Sequence, residues 1–330
     1  MINARSLSAR LPAVFGAALL AIAVAGGARA ADAFPSRPVR ILVNTGPGGL
    51  VDVTTRLVAE KMREALGQSV VVENRAGGDG LVGIVAAKTA NPDGYTLLAS
   101  AATIAIQPAV KLDPGYNLEK DFVGVGSMLR APFIIVVGGR EPDRTLADFI
   151  ARAKKVPEKM SYASAGVGTA THMAAAQFLK QAGIDILHVP YKGNGPALPD
   201  VMAGRVSMIF EAYNSGIGKI NDGTLRALGV TSTERLPGLP NVPTIAEQGV
   251  QGYSYYGYVG LYAPAGTPKE VVDKISTALR TTLANEEIKQ RFRDGGGEAL
   301  VMQPEQFEAF VKQDLVAIEK FVRELGIEKK

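Results

Sequence analysis

The most informative segment lies near the start of the chain and reads Val39-Arg40-Ile41-Leu42-Val43-Asn44-Thr45-Gly46-Pro47-Gly48-Gly49-Leu50-Val51-Asp52. Its apolar first part predicts a buried strand, its glycines predict a tight loop, and the apolar spacing after the loop predicts a helix. Backbone N–H groups at a helix N-terminus have no acceptor within the helix, and the helix dipole adds partial positive charge there. The end of this loop therefore suits an anion such as a carboxylate.

A second unit of the same kind follows later in the chain, Tyr162-Ala163-Ser164-Ala165-Gly166-Val167-Gly168-Thr169-Ala170-Thr171-His172. Strand residues again give way to glycines and then to a helix. Two such loops that face each other across a cleft can hold a small organic acid without any arginine. We predict that Gly48 and Gly168 are glycines because the backbone must approach the ligand closely.

Short apolar segments alternate with helical ones along the chain. The segments Ile41–Val43, Val70–Val72 and Thr96–Ala99 predict a β-α-β-α-β unit with parallel strands. A second α/β series begins at Phe133–Val137. The chain then closes with a long aromatic strand, Tyr253–Tyr262, and two helices.

This order predicts an α/β fold of two lobes around a cleft that closes by a hinge. The first lobe is expected to be discontinuous, with residues 31–131 and 255–330, and the second to comprise residues 132–254. The chain is expected to cross between the lobes near Ala131-Pro132 and within Ser254–Val259.

The first thirty residues predict a secretory signal. Arg5 and Arg10 form a basic start, and the apolar run of residues 11–25 is too short to span a bilayer. Ala28-Arg29-Ala30 fits a small-residue cleavage site, so cleavage is expected after about Ala30 and the mature protein is expected to be exported. A membrane anchor is the less favoured alternative.

Composition excludes several classes of function. The formal net charge is +4, and three of these charges come from arginines of the leader. The basic residues are spread and aromatic residues are few, which argues against a nucleic-acid partner. The chain has no cysteine and two histidines. Thiolate chemistry is therefore excluded, and no metal or other cofactor is expected.

The segment Gly78-Asp79-Gly80-Leu81-Val82-Gly83 matches the G-x-G-x-x-G pattern of nucleotide-binding loops. Such a site also needs an acidic residue at the end of the next strand. That strand ends Leu97-Leu98-Ala99-Ser100-Ala101, which contains no acid. We therefore interpret the pattern as a glycine turn at the start of a helix.

Ser164 and His172, together with an aspartate, suggest a hydrolase triad as an alternative. A nucleophile elbow requires G-x-S-x-G, and Tyr162 stands at the first glycine position, where it would crowd the turn. Catalysis is therefore disfavoured, and His172 is expected either to pack within the protein or to contact the ligand.

Two acidic residues lie near the predicted cleft. Asp52 begins the first helix, where capping of N–H groups is favoured over ligand contact. Glu211 follows the strand Val206–Phe210, at the edge where side chains meet the cleft of an open sheet. Glu211 would attract an amine or a protonated, hydroxyl-rich group of the ligand if it points inward, and would be solvated if it points outward.

Short segments spread over the mature chain together resemble one family. They are Phe34-Pro35-Ser36-Arg37-Pro38-Val39-Arg40, Gly48-Gly49-x-x-Asp52, Val71-Val72-Glu73-Asn74-Arg75, Pro92-Asp93-Gly94-Tyr95-Thr96-Leu97-Leu98, Gly166-Val167-Gly168-Thr169, Val189-Pro190-Tyr191-Lys192-Gly193, Gly195-Pro196-Ala197 and Ala263-Pro264-Ala265-Gly266-Thr267-Pro268. They resemble the periplasmic substrate-binding proteins of tripartite tricarboxylate transporters, the Bug family. The resemblance implies a two-lobed periplasmic-binding-protein fold, type II-like, that grips a small carboxylate through backbone amides and ordered water.

Carried over by position, the two ligand loops run from Thr45 to Gly49 and from Ser164 to Thr169. The expected ligand-binding residues are Thr45, Pro47, Gly48, Gly49, Ser100, Ala101, Ser164, Gly166, Gly168, Thr169, His172, Asn194, Glu211 and Tyr213. The resemblance implies a monomeric solute-binding protein, not an enzyme, that hands a mono-, di- or aromatic carboxylate to membrane permease subunits. The alternatives are a ligand sensor acting on a sensor kinase and an exported hydrolase.

Overall fold

The computed structural model describes Met1 and residues 34–329. The remainder of the predicted secretory signal, with its cleavage site near Ala30, lies outside the described residues. Within residues 34–329, no helix is both long enough and apolar enough to cross a bilayer.

The elements are numbered in chain order. The strands are β1 (Val39–Val43), β2 (Val70–Asn74), β3 (Thr96–Ala101), β4 (Phe122–Gly138), β5 (Ser161–Ser164), β6 (Leu187–Pro190), β7 (Met208–Ala212), β8 (Leu225–Val230), β9 (Tyr256–Pro264) and β10 (Glu298–Ala299). The α-helices are α1 (Leu50–Leu66), α2 (Leu81–Lys88), α3 (Thr103–Val110), α4 (Leu118–Asp121), α5 (Leu146–Lys155), α6 (Ala170–Ala182), α7 (Asn194–Met202), α8 (Tyr213–Asn221), α9 (Lys269–Leu283), α10 (Glu286–Asp294) and α11 (Pro304–Glu324). Short 3₁₀ turns cover Gly78–Gly80 and Pro157–Lys159.

The first three strands are parallel, with Ile41 of β1 between Val72 of β2 and Leu97 of β3. Helices α1 and α2 form the connections between them, which confirms the predicted β-α-β-α-β unit. Helix α1 ends at Gly67, whose φ of 67° is left-handed and suits a glycine.

Strand β4 belongs to two sheets. Its first part pairs antiparallel with β9, from Phe122 opposite Pro264 to Pro132 opposite Tyr256. From Phe133 onward it pairs with β7 and β8 instead. The sequence predicted only the second part, because glycines interrupt the apolar run of the first part, where the register with β9 also shifts.

The two sheets define two α/β lobes, as predicted. The first has the strand order β2-β1-β3-β9-β4, and the second joins β6, β5, β7 and β8 to the end of β4. The first sheet is mixed rather than all parallel, since β9 runs against both of its neighbours. Each sheet is covered by its own apolar clusters of buried side chains.

The carboxyl-terminal helices pack on the first sheet. Leu279 of α9 and Phe292 of α10 share a buried cluster with Leu129 of β4. The sequence predicted two closing helices and missed the short α10, which buries only Ile288 and Phe292. Strand β9 and these helices, although late in the chain, thus pack with β1, β3 and the first part of β4.

Candidate ligand-binding cleft

Helices α1 and α6 begin at one small cavity between the lobes, with a volume of ≈ 40 Å³. The cavity is lined by Thr45, Gly49, Leu50, Val51, Ala101, Thr103, Phe133, Ala165, Thr169, Ala170, Thr171 and Asn194. Both predicted loops contribute to it, and Phe133 adds an aromatic side chain from the shared strand. None of these lining residues carries a charge.

The first N–H groups of both helices lack acceptors. Among residues 34–329, no acceptor is present for the N–H groups of Leu50 and Val51 in α1 or of Ala170 and Thr171 in α6. The buried Thr45 hydroxyl also has no partner there. Each helix start carries the equivalent of about half a positive charge. Unused donors and two dipole ends therefore give this cavity a preference for an anion.

The two loops have a common geometry. Gly48 and Gly168 have left-handed φ angles of 83° and 71°. Each glycine N–H donates to a side chain four residues later, from Gly48 to Asp52 Oδ2 at 2.9 Å and from Gly168 to His172 Nδ1 at 3.1 Å. The glycine amides that were expected to face the ligand are thus bonded within their own loops. The unused donors lie two to three residues further along the chain.

Asp52 stabilises the first loop. Its buried carboxylate accepts from the Gly48 N–H and, at 2.9 Å each, from Arg56 Nε and Asn74 Nδ2. Asn74 also donates to the Thr45 carbonyl at 3.0 Å. The favoured interpretation of Asp52 as a residue that holds N–H groups in place agrees with these contacts.

His172 stabilises the second loop by accepting the hydrogen bond from Gly168. Its ring stacks on His188 at 4.3 Å between centroids. Burial, with the neighbouring His188 ring, lowers the pKa of His172 to about 3, and burial lowers the pKa of His188 to about 4. Both rings are therefore neutral near pH 7, so Nδ1 of His172 can accept from Gly168. His172 does not line the cavity at the helix starts.

Ser164 is fully buried, and its Oγ lies 2.7 Å from Nε2 of His188, not of His172. The same oxygen accepts from the Gly166 N–H at 3.1 Å. The pair on which the hydrolase alternative rested, Ser164 and His172, is therefore not joined by a hydrogen bond. The contacts of Ser164 fix the turn of the second loop.

Glu211 is completely buried and is therefore not solvated. Its carboxylate accepts from the Ala212 N–H at 2.8 Å, from Asn194 Nδ2 at 3.2 Å and from the Ser215 hydroxyl. Burial raises its pKa above the ordinary value. Asn194, which lines the cavity, also accepts from the Thr171 hydroxyl at 3.4 Å. Glu211 therefore orients Asn194 and does not reach the cavity itself.

Several other expected residues, Gly166 among them, do not line the cavity. Ser100 is buried and its hydroxyl donates to the Ala101 carbonyl. Pro47 is exposed, and Tyr213 packs against Gly238 and Gly295. The first turn of each helix supplies lining residues that the glycine pattern of the sequence does not indicate. They are Leu50, Val51, Ala170 and Thr171.

Direct contacts join the lobes around the cavity. Gly46 N–H donates to the Lys192 carbonyl at 2.9 Å. Asp79 Oδ1 accepts from the Val167 N–H at 2.9 Å, and Gln107 Nε2 donates to the Val167 carbonyl at 2.7 Å. The G-x-G-x-x-G segment thus forms a 3₁₀ turn at the start of α2, as interpreted, and bonds to the second ligand loop.

These features define a class of protein. Two α/β lobes, joined by a shared strand and enclosing an anion-favouring cavity, are the architecture of a periplasmic solute-binding protein. Solved structures agree: "Structure of periplasmic binding protein BugD" superimposes with a TM-score of 0.86 at 34% identity, over 90% of this chain and 100% of that chain.

The family follows from the sequence comparison. The family described as "Tripartite tricarboxylate transporter family receptor" matches residues 54–327, and the chain belongs to this family. A UPF0065 protein from the tcbD-tcbE intergenic region of Pseudomonas sp. (strain P51) is 36% identical over 294 residues, 89% of this chain and 88% of the relative. This confirms the resemblance read from the sequence.

Two solved relatives from Rhodopseudomonas palustris contain ligands. Rpa4515 with adipate has a TM-score of 0.86 at 30% identity, covering 90% of this chain and 100% of that chain. MatC with bound malate has a TM-score of 0.79 at 28% identity, covering 88% of this chain and 100% of that chain.

Proposed function

We propose that this solute-binding protein captures a small organic carboxylate at the starts of α1 and α6 and delivers it to the permease subunits of a tripartite tricarboxylate-type transporter. One observation carries the proposal: helix-start residues of both lobes, whose N–H groups find no acceptor among residues 34–329, line the same cavity. An ionised carboxylate accepts several such bonds and gains from both helix dipoles.

The chemistry of the lining supports this ligand class. Thr45, Thr171 and Asn194 add polar side chains next to the helix starts, whereas Phe133 and Leu50 add apolar surface. This combination suits an acid with a hydrocarbon body. The adipate and malate bound by two relatives fit the same description. We include monocarboxylates and aromatic carboxylates in the class.

Ligand entry requires movement of the lobes. Ligand pockets commonly have volumes of about 300–1,000 Å³, and this cavity has ≈ 40 Å³. We propose that residues 31–131 with 255–330 move against residues 132–254, about the crossings at Ala131-Pro132 and Ser254. An acid that contacts both helix starts binds the closed arrangement better, which is the condition for closure.

We propose that the mature protein begins after about Ala30, acts in the periplasm as a monomer and performs no catalysis. A sensor kinase in place of the permease would use the same closed form. Pull-down of permease subunits by the acid-loaded protein separates the two roles.

Titration calorimetry tests the ligand class. Adipate, malate and benzoate are each compared with the corresponding neutral amide at pH 7. We expect at least one acid to bind and its amide to bind at least tenfold more weakly, a difference of about 1.4 kcal/mol. Equal binding of acid and amide, or no binding of any carboxylate in a wider screen, would overturn the proposal.

A further inference from the structure

A second cavity lies at the hinge and has a volume of ≈ 470 Å³. Its wall combines Ile106 of the first lobe, Met173 of the second lobe and Tyr255, which immediately precedes β9. Helix α11 forms the remaining side. The cavity shares no lining residue with the cleft at the helix starts. It is therefore a separate space, built where the two lobes are joined.

The wall of this hinge cavity is rich in aromatic rings. Tyr255 and Phe321 stand with centroids 6.4 Å apart, and Phe310 meets Tyr258 edge to face at 5.1 Å. Tyr256 adds a further ring from β9. Aromatic faces bind apolar groups, and their negative quadrupole attracts cations.

One carboxylate, that of Asp314 in α11, lies in this aromatic wall. It accepts a hydrogen bond from Tyr258 Oη at 2.8 Å. Asp314 forms no salt bridge with any side chain in the part of the chain that the structure describes. Arg130 lines the same cavity, but its guanidinium pairs with Glu298 at 3.6 Å and covers the Tyr256 ring at 4.4 Å.

A carboxylate set among aromatic rings without a cation is costly, because desolvation penalises its charge. Burial accordingly raises the pKa of Asp314 above its ordinary value. A cation placed beside it would offset that penalty by charge attraction and would also contact the ring faces. The wall thus offers the two kinds of contact that an organic ammonium group uses.

We propose that the hinge cavity is a second binding site, for an organic ammonium compound with an apolar body. The ammonium group pairs with Asp314, and the body packs between Tyr255, Phe321 and Met173. The hinge cavity favours a cation. The cleft favours an anion, because its groups without partners among the described residues are hydrogen-bond donors. The site is independent of which acid the cleft binds.

Calorimetry with 2-phenylethylamine tests the site, with 2-phenylethanol as the neutral analogue of the same shape. We expect the amine to bind and the alcohol to bind at least tenfold more weakly. Asp314→Asn keeps an oxygen acceptor for Tyr258, so the fold is preserved, and it should weaken amine binding at least tenfold. Glu319→Gln, on an exposed position of the same helix, should change it less than twofold.

Amide chemical shifts locate the bound amine. Changes should centre on Met173 and on the segment that begins at Tyr255, and not on Gly49 or Ala170 at the cleft. Absence of amine binding at millimolar concentration, equal binding of the alcohol, an unchanged affinity in Asp314→Asn, or shifts centred on the cleft would each overturn the proposal.

Discussion

Asp79 in the first lobe accepts a hydrogen bond from the backbone N–H of Val167 in the second lobe, with 2.9 Å between Oδ1 and N. Asp79 has a left-handed φ of 58°, which is uncommon for a residue other than glycine. Its other carboxylate oxygen pairs with Lys111 at 3.0 Å. The bond therefore ties the glycine turn before α2 directly to the second ligand loop.

Removing this bond should favour separation of the lobes. Asp79→Gly relieves the backbone strain and deletes the acceptor, so the fold should persist. Carboxylate affinity should fall by about tenfold, because a bond to a charged acceptor contributes about 1.5 kcal/mol and about 1.4 kcal/mol corresponds to a factor of ten. Asp79→Asn, which keeps an acceptor oxygen, is the control. Calorimetry measures affinity, and X-ray scattering should show a larger ligand-free radius of gyration for the glycine variant. Wild-type values in both measurements would contradict this role.

Gly168 should be required for closure. A Cβ at this position would lie 2.6 Å from Val110 Cγ2 and 2.9 Å from Gln107 Nε2, both in the first lobe. Gly168→Ala should therefore weaken ligand binding at least tenfold, about 1.4 kcal/mol.

Gly183→Ala is the matched control, because Gly183 has a similar φ of 63° but nothing within 4 Å of an added Cβ. It shares the backbone strain without the contact between lobes, so its affinity should stay close to that of the wild type. Similar losses in both variants would show that strain, and not closure, governs the effect.

The Thr45 hydroxyl should bind the ligand. Thr45→Val preserves the shape of the side chain and removes a buried hydroxyl that has no partner among the described residues. Affinity should fall by about 0.5–1.5 kcal/mol, the contribution of a typical hydrogen bond, while the melting temperature of the free protein stays level or rises.

Thr55→Val provides the comparison for Thr45. The Thr55 hydroxyl in α1 is also buried without a partner in the described part of the chain, but Thr55 does not line the cavity. Its replacement should leave affinity unchanged. A loss of affinity in Thr55→Val as large as that in Thr45→Val would remove the case for a direct contact.

The stacked histidines should make the protein sensitive to acid. Their pKa values fall from 6.5 to about 3 for His172 and about 4 for His188 on folding. The unfolded chain therefore binds more protons between pH 6.5 and about 3, so stability is fully present above pH 6.5 and is lost as the pH falls through this window.

The double variant His172→Asn, His188→Gln keeps acceptors near the positions of Nδ1 and Nε2 but does not titrate. The free energy of unfolding, measured by urea titration between pH 7 and 4, should decline less steeply for this variant than for the wild type. Parallel declines would mean that the acid sensitivity arises elsewhere.

The local part of this architecture can be predicted from the sequence. Strand, glycine loop and helix follow one another within a few residues, so Val39–Asp52 and Tyr162–His172 carry their own signals. The first part of β4 could not be predicted from the sequence, because it is stabilised by pairing with β9, which lies more than a hundred residues later in the chain. Its glycines interrupt the run of apolar residues that would indicate a strand, although the segment forms one by pairing with β9.

The glycine pattern of the sequence indicates the two loops that border the cavity, but not which of their N–H groups are already hydrogen-bonded. Both Gly48 and Gly168 are followed four residues later by a side chain able to accept a hydrogen bond. This four-residue spacing is visible in the sequence, and it indicates that the N–H groups of the two glycines are already hydrogen-bonded. The roles of Glu211 and Tyr213 depend on contacts with Asn194, Gly238 and Gly295, which sequence spacing does not reveal.

The position of β9 has a consequence for how a growing chain can fold. The strands of the second sheet, from the end of β4 through β8, are consecutive in the chain, so that lobe can assemble as soon as it has been synthesised. In the first sheet β9 lies between β3 and β4. The first sheet therefore cannot be completed until β9 has been synthesised. Until then, the edge of β3 that later pairs with β9 lacks that partner strand.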